Sequence, residues 1–90
     1  MTDSDILAVL KVDLQISAAQ YDDYLKKIIA LAKDAIAKEG IILGESVSDG
    51  MLVEMYAAYL YRRRKEENVA MPRSLRYALN NRLFSQKGSA

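Results

Sequence analysis

The side chains most able to do chemistry in this sequence are four consecutive cations, at positions 62–65, behind a segment rich in tyrosine. Clustered cations bind nucleic-acid phosphates when their side chains are free to reach them. Glu66 and Glu67 follow directly, and a helix turns successive side chains about 100° apart, which spreads and partly neutralises the charge. Phosphate binding, solvation of a helix end and use at a protein interface all stay open as interpretations of this run.

Three tyrosines precede the cations. Bases stack on aromatic side chains in proteins that bind single strands, but such platforms usually lie on strands or loops. Tyr56 and Tyr59 fall on the predicted apolar stripe of a helix, so we interpret them as core residues. Tyr61 lies off that stripe, and tyrosine brings apolar area to an interface at low entropic cost. We therefore predict that Tyr61 is an interface residue.

Catalytic and metal-binding groups are scarce. The sequence has neither histidine nor cysteine, which removes the commonest general base, the commonest metal ligand and any disulfide. The carboxylate pairs at 22–23 and 66–67 are adjacent in sequence, so their side chains diverge on a helix. They form neither an acid–base pair nor a metal site. We predict no catalytic residue, no metal site and no cofactor, and expect a protein that is not an enzyme.

The charge is unevenly distributed along a chain that has room for one core. At 90 residues we predict a single domain over 1–90. Residues 1–45 carry five basic and eight acidic side chains, a charge of −3, whereas 46–90 carry eight basic and four acidic, a charge of +4. Copies of such a molecule suit side-by-side packing, acidic half against basic half. The alternative is that both halves are solvated faces.

Hydropathy and the first residues bear on location. Apolar residues make up 51% of the chain, and no run approaches the roughly 18 residues of a membrane span. The start, Met-Thr-Asp-Ser-Asp, lacks the basic character of a signal peptide. We therefore expect no membrane association and a protein that is cytosolic where it is made.

Helix signals dominate and predict an all-α fold, a small single-domain bundle of about four helices. Ser4 is predicted to cap a short first helix over 4–12. Ser17 is predicted to cap a long second helix with Gln20 as capping-box partner, and Gly40 to end it where a positive φ is needed. The inward stripe of that helix is predicted to be Tyr21, Tyr24, Leu25, Ile28, Ala32, Ala35 and Ile36.

A short, buried and ordered loop is predicted near 41–48, because no second strand is available to pair with its apolar residues. Ser48 or Asp49 is predicted to cap the third helix, and Asn68 to close it. The apolar face of this helix is predicted to be Leu52, Met55, Tyr56, Tyr59 and Leu60.

A fourth helix is predicted to start with Pro72 at its first position. Its apolar stripe is predicted to be Leu75, Ala78, Leu79 and Leu83, and residues 85–90 are predicted to form a mobile tail. The other side chains mix guanidinium, aromatic and amide groups, a composition favoured at protein interfaces, although an ordinary wet face is the alternative. The predicted interface residues are Tyr61, Arg62, Arg63, Arg73, Arg76, Tyr77, Asn80, Arg82 and Phe84.

The chain resembles the head–tail connector family of long-tailed bacteriophages, most specifically in its closing segment, Met71-Pro72-Arg73-Ser74-Leu75-Arg76-Tyr77. Before it, residues 51–61 look like the central helix of that family, with alanine, leucine and tyrosine. The opening is also similar, with a short helix ending Leu10-Lys11-Val12-Asp13, a break to Tyr21-Asp22-Asp23-Tyr24-Leu25, and a long helix through Ile28, Ala32 and Ala35.

The resemblance implies a structural virion protein. By analogy it forms a ring of about twelve copies under the portal protein, joins the DNA-filled head to the tail and receives the next neck or tail protein. DNA passes through the channel without sequence recognition. The interface residues would then serve portal docking or contacts between subunits. The implied location is the neck of the virion, assembled in the cytoplasm of the bacterial host.

Two other hypotheses compete with the connector. A small helical nucleic-acid-binding regulator would use the basic segment 62–76, and salt-dependent DNA affinity distinguishes it from a connector. A host-encoded helical interaction module with no phage role is the third. The genes beside this one decide that case, because a portal or capsid gene next to it favours the connector.

Overall fold

The computed structural model describes residues 1–88, and that part of the chain is 76% helical without strands. Its elements are α1 (Asp3–Leu14), a 3₁₀ turn (Ala19–Tyr21), α2 (Asp22–Lys38), α3 (Val47–Lys65) and α4 (Arg73–Gly88). The predicted all-α bundle of four helices is therefore confirmed. Positions 89–90 of the predicted mobile tail lie outside the described residues.

The first helix begins and ends at different residues from those predicted. Thr2, not Ser4, is the N-cap: its hydroxyl accepts from the backbone N–H of Asp5, and the Asp5 carboxylate accepts from the N–H of Thr2. This reciprocal pair satisfies two of the amide groups that a helix start leaves without partners. At the other end Gln15 adopts a left-handed φ of 58° directly after Leu14.

The second helix lacks the predicted capping box at Ser17 and Gln20. A 3₁₀ turn occupies 19–21 instead, and α2 starts at Asp22 with no side-chain cap. Carboxylates in its first turn favour the positive end of the helix dipole. The end of the helix is as predicted, since Gly40 follows the C-cap residue with a φ of 93°.

The third helix starts two residues earlier than expected. Ser46 is its cap, and the Ser46 hydroxyl accepts from the N–H of Asp49 at 3.0 Å, so the predicted caps Ser48 and Asp49 lie inside the helix. The helix ends at Lys65, before the predicted closing residue Asn68.

The fourth helix is longer than predicted. The helix begins at Arg73, directly after Pro72. The carbonyl of Pro72 accepts from the N–H of Arg76 at 3.1 Å. Pro72 thus holds the cap position rather than the first helical position. The helix continues to Gly88, so residues 85–88 of the predicted mobile tail are helical, and their mobility stays a prediction.

The core confirms two of the three predicted stripes in large part. In α2 the buried stripe runs from Leu25 to Ile36, but Tyr21 and Tyr24 are exposed. The stripe of α4 is confirmed, with Leu75 and Leu79 fully buried. The buried apolar side chains are Ile6, Leu7, Leu10, Leu25, Ile28, Ile29, Ala32, Ile36, Ile41, Leu52, Val53, Ala57, Ala58, Leu75 and Leu79.

The third helix is rotated relative to the prediction. Its most buried side chains centre on Val53, Ala57 and Ala58, together with the predicted Leu52. The other four predicted residues, Met55, Tyr56, Tyr59 and Leu60, are partly buried and pack against the core from its edge. The difference arises because α3 is apolar on most sides, so its hydrophobic pattern does not fix which side faces inward.

The connection between α2 and α3 is a loop as predicted, but most of it is not buried. Ile41 is in the core, whereas the side chain of Ile42 is 76% exposed and residues 44–46 are exposed. The N–H and the carbonyl of Ile42 are satisfied by side chains from α4, described below.

Replacement of Ser46 tests where α3 begins. Ser46→Ala removes the cap bond to Asp49 and should lower the free energy of unfolding by about 1 kcal/mol. Ser48→Ala is the matched control and should change stability by less than about 0.5 kcal/mol. Urea unfolding of both variants measures the difference, and equal effects would contradict the assignment of Ser46 as cap.

Candidate interaction surface

Arg82 joins α4 to the start of α3 through a nearly buried carboxylate. Its Nε donates to Oδ1 of Asp49 at 2.7 Å and its Nη2 to Oδ2 at 3.1 Å. The same carboxylate accepts from the N–H of Gly44 at 2.7 Å, and Arg82 Nη2 also donates to the carbonyl of Ile42 at 2.7 Å. One guanidinium therefore connects α4, the 41–46 loop and α3.

The charge of Asp49 is stabilised in this environment although the residue is only 5% exposed. The hydrogen bond from Arg82 lowers the pKa of the Asp49 carboxyl, the N–H of Gly44 lowers it further, and burial opposes both. The pKa of Arg82 is raised in turn by the hydrogen bond to Asp49. The pair is thus ionised across the neutral range.

Two more α4 side chains face inward. Arg76 donates to both carboxylate oxygens of Glu39, from Nη1 at 2.8 Å and Nη2 at 3.1 Å. Gln86 accepts from the N–H of Ile42 at 2.7 Å and donates to the carbonyl of Gly40 at 2.8 Å. We call Arg76, Arg82 and Gln86 the α4 latch. Arg76 and Arg82 are thus engaged inside the chain, and their predicted role at an interface stays a prediction.

Four of the predicted interface residues share the side of α4 that faces away from the buried Leu75 and Leu79. Arg73, Tyr77, Asn80 and Phe84 are spaced by four, three and four residues, which places them in one row, and all four are exposed. Tyr77 is 62% exposed and Phe84 is 74% exposed. We call this row the outer ridge. Large apolar groups in such a row are the anchors by which a helix enters a partner's groove.

The remaining predicted residues, Tyr61, Arg62 and Arg63, lie at the end of α3. Tyr61 is half-buried and meets the ring of Tyr24 edge-on, with centroids 6.4 Å apart. Arg62 pairs with Asp13 of α1 at 3.5 Å. The nine predicted residues therefore fall into the outer ridge, the two arginines of the latch and the end of α3, and Arg76 of the latch adjoins Arg73 and Asn80 of the ridge.

The cations at the end of α3 are partly engaged with tyrosines. The guanidinium of Arg64 lies 5.8 Å from the ring centre of Tyr24, and the ammonium of Lys65 lies 5.2 Å from that of Tyr61. Arg63 and Arg64 also border an apolar groove of about 430 Å³ between α2 and α3, lined by Ile28, Leu31, Ala35 and Leu60.

Ion pairs join the acidic and basic halves within one chain. Asp13 with Arg62 and Glu39 with Arg76 each link residues 1–45 to residues 46–90. Part of the charge complementarity that suggested packing between copies is thus used internally. Self-association remains a prediction.

Glu54 is a residue that the sequence analysis did not single out. It is 3% exposed on the inward side of α3, and its Oε1 has no hydrogen-bond partner. Burial, with hydrogen bonding to Asp13 and its charge, raises the pKa of Glu54 to about 7. A correct prediction of which side of α3 faces the core would have identified Glu54 as buried, because Glu54 lies between Val53 and Ala57 on that side.

The described residues contain no candidate metal site or membrane-spanning helix, and comparisons with known proteins find no match. Within residues 1–88 no group of three or more acidic side chains is placed to hold a metal ion. Among the helices of that range, none combines the length and apolarity that crossing a membrane demands. A scan against models of protein families finds no match, and neither a curated protein nor a solved structure matches the chain.

The latch predicts unequal effects for two arginines of one helix. Arg82→Ala leaves the buried Asp49 carboxylate without its guanidinium and should lower the free energy of unfolding by about 2–3 kcal/mol. Arg73→Ala, on the exposed outer ridge, is the matched control and should cost less than about 0.5 kcal/mol. Equal losses for the two variants in urea unfolding would contradict the latch.

Acid should reduce the difference in the free energy of unfolding between the wild type and Arg82→Ala. The lowered pKa of Asp49 gives the folded state a contribution that is present above the ordinary range of a carboxyl. That contribution is lost as the pH falls through the lowered pKa. Unfolding curves at pH 7 and in progressively more acidic buffer measure the narrowing.

Proposed function

We propose that this chain is a structural subunit of a phage head–tail connector. In this function it forms a ring under the portal protein, receives the next neck or tail protein, and lets DNA pass without reading its sequence. Its place is the neck of a virion assembled in a bacterial cytoplasm. The chemistry it needs is surface complementarity rather than catalysis.

The outer ridge is the observation that carries the proposal. Two aromatic side chains with an arginine and an asparagine lie in one exposed row, and interface energy concentrates in such groups. Apart from the groove between α2 and α3, the other strongly exposed apolar side chains are dispersed over α1, the 41–46 loop and the start of α3. A row of anchors on a well-docked helix suits repeated binding of one partner.

The segment with the more specific resemblance supports the same proposal. Residues 71–77 supply Arg73 and Tyr77 to the outer ridge and Arg76 to the latch. The segment thus both fixes the helix and begins its exposed row. These are the two properties that a docking helix requires, since a rigid anchor loses less entropy on binding than a mobile one.

A nucleic-acid-binding regulator is less well supported by the basic segment 62–76. Arg62 pairs with Asp13, Arg76 pairs with Glu39, and Arg64 and Lys65 lie against tyrosine rings. These contacts compete with phosphate for the same side chains. The segment therefore presents fewer free cations than its sequence suggests.

Removal of the two aromatic anchors tests the connector. Tyr77→Ala with Phe84→Ala should leave the helical signal nearly unchanged, because both side chains are exposed, and should weaken binding to the portal ring. A loss of about 2 kcal/mol per anchor corresponds to roughly 30-fold each. Binding is measured by co-sedimentation with the portal protein encoded in the same genome.

Val12→Ala is the control for that experiment, since Val12 is similarly exposed but lies on α1. It should bind the portal like the wild type. A double variant that folds and binds normally would place docking elsewhere and count against the outer ridge. A genome without a portal gene would count against the connector itself.

Salt dependence of DNA binding separates the regulator from the connector. A protein that neutralises several phosphates shows affinity that falls steeply as salt rises. We expect only weak binding to duplex DNA at low salt and none at physiological salt. Tight binding that Arg63→Ala with Arg64→Ala abolishes, measured by fluorescence anisotropy, would instead favour the regulator.

A further inference from the structure

Glu54 is an acidic side chain enclosed where α1 packs on α3. It is 3% exposed, and its Oε1 is, within the described residues, the one buried side-chain oxygen or nitrogen without a hydrogen-bond partner. An unpaired buried oxygen is costly when neutral and more so when charged. The packing around Glu54 therefore depends on its protonation state.

The neighbours of Glu54 are another carboxylate and one cation. Asp13, in the last turn of α1, is hydrogen-bonded to the Glu54 carboxyl, and Arg62, two helical turns further along α3, pairs with Asp13 at 3.5 Å. Within the described part of the chain, α2 and α4 bring no charged group that perturbs this carboxyl. One guanidinium thus faces two carboxylates.

We infer that the contact between α1 and α3 is a proton-sensitive switch: it is closed while the Glu54 carboxyl is protonated and opens at the C-terminal end of α1 when Glu54 is ionised. In the closed state the protonated carboxyl donates to the other, and Arg62 balances the remaining charge. Opening releases that proton to water and exposes the Glu54 carboxylate to solvent.

α1 is the element that moves because Asp13 lies on it and because it buries less apolar surface than α2. It buries three side chains, Ile6, Leu7 and Leu10, whereas α2 buries five. Its final turn is further restrained by two ion pairs, the part-buried pair of Lys11 with Asp22 at 2.7 Å and the exposed pair of Asp13 with Arg62. An exposed pair such as Asp13 with Arg62 is individually weak. A charge repulsion at Asp13 therefore acts on the last turn of α1.

The direction of the pH effect follows from the raised pKa of Glu54, about 7 against an ordinary value of 4.5. The folded state retains the proton that the unfolded state has released, so the stabilisation is fully present below pH 4.5 and is lost as the pH rises to about 7. The sequence contains no histidine that would titrate in the same interval.

Hydrogen exchange of backbone amides tests the switch in the intact chain. After correction for intrinsic exchange, the opening constant of the Leu10 amide in α1 should rise by at most about tenfold per pH unit between pH 5 and 7, because one proton is released. The Ile28 amide in α2 should respond far less. Equal responses of the two helices would show a global loss of stability and overturn the switch.

Two variants assign the effect to Glu54. Glu54→Gln keeps the shape and the hydrogen-bonding capacity without the charge, and should make the exchange of α1 independent of pH. Glu66→Gln changes an exposed carboxylate just beyond α3 and should behave like the wild type. A Glu54→Gln protein with the wild-type pH response would overturn the inference.

Titration of the side-chain carboxyl carbons provides a test that needs no variant. In the wild-type protein the NMR shift of the Glu54 carboxyl carbon should move with an apparent midpoint near 7, because burial and the neighbouring Asp13 raise the pKa of Glu54. A Glu54 midpoint in the ordinary range near 4.5 would overturn the switch even if Glu54→Gln failed to fold.

Discussion

The pairing of Arg82 with Asp49 is the contact on which the arrangement of the last two helices depends. Asp49 lies in the first turn of α3, nearly buried, and accepts from both Arg82 and the N–H of Gly44. A buried ion pair is weak evidence for stability in itself, but breaking one side of it is costly. Its geometry therefore restricts the rotation of α4 and the path of the preceding loop together.

That restriction divides the arginines of α4 between two tasks. Arg76 and Arg82 turn toward Glu39 and Asp49, which leaves Arg73 with Tyr77 and Phe84 on the exposed side. Composition alone could not separate these tasks, because guanidinium and aromatic groups are typical of interfaces within a chain and between chains alike. In the proposed connector, the latch orients the row that the partner meets.

The sequence predicts a helix boundary correctly where only one nearby residue is suited to form it. Gly40 is correct as a helix end because only a residue tolerant of positive φ suits that position. The N-caps of α1 and α3 lie two residues before the predicted Ser4 and Ser48 because cap-forming side chains recur nearby: Thr2 competes with Ser4, and Ser46 with Ser48. Local propensity does not choose between such neighbours; the tertiary position of the helix does.

The candidate site was predictable only in part for a related reason. The exposed row on α4 follows from helical periodicity once Leu75 and Leu79 are recognised as buried. Helical periodicity does not predict the partners of Arg76 and Arg82, because Glu39 and Asp49 are more than thirty residues away in sequence. Glu54 was missed because α3 is apolar on most sides, so its pattern allows several rotations.

The dependence of the 41–46 loop on α4 also bears on how the chain folds during synthesis. The N–H of Ile42 has its partner in Gln86, 44 residues later. At about 5–20 residues per second, that separation corresponds to roughly 2 to 9 s of translation. During that interval α2 and α3 can form as helices, but the N–H and the carbonyl of Ile42 at their junction have only water as a partner. The nascent chain therefore acquires its final hairpin late, and it is in this period that its apolar faces are most open to chaperones.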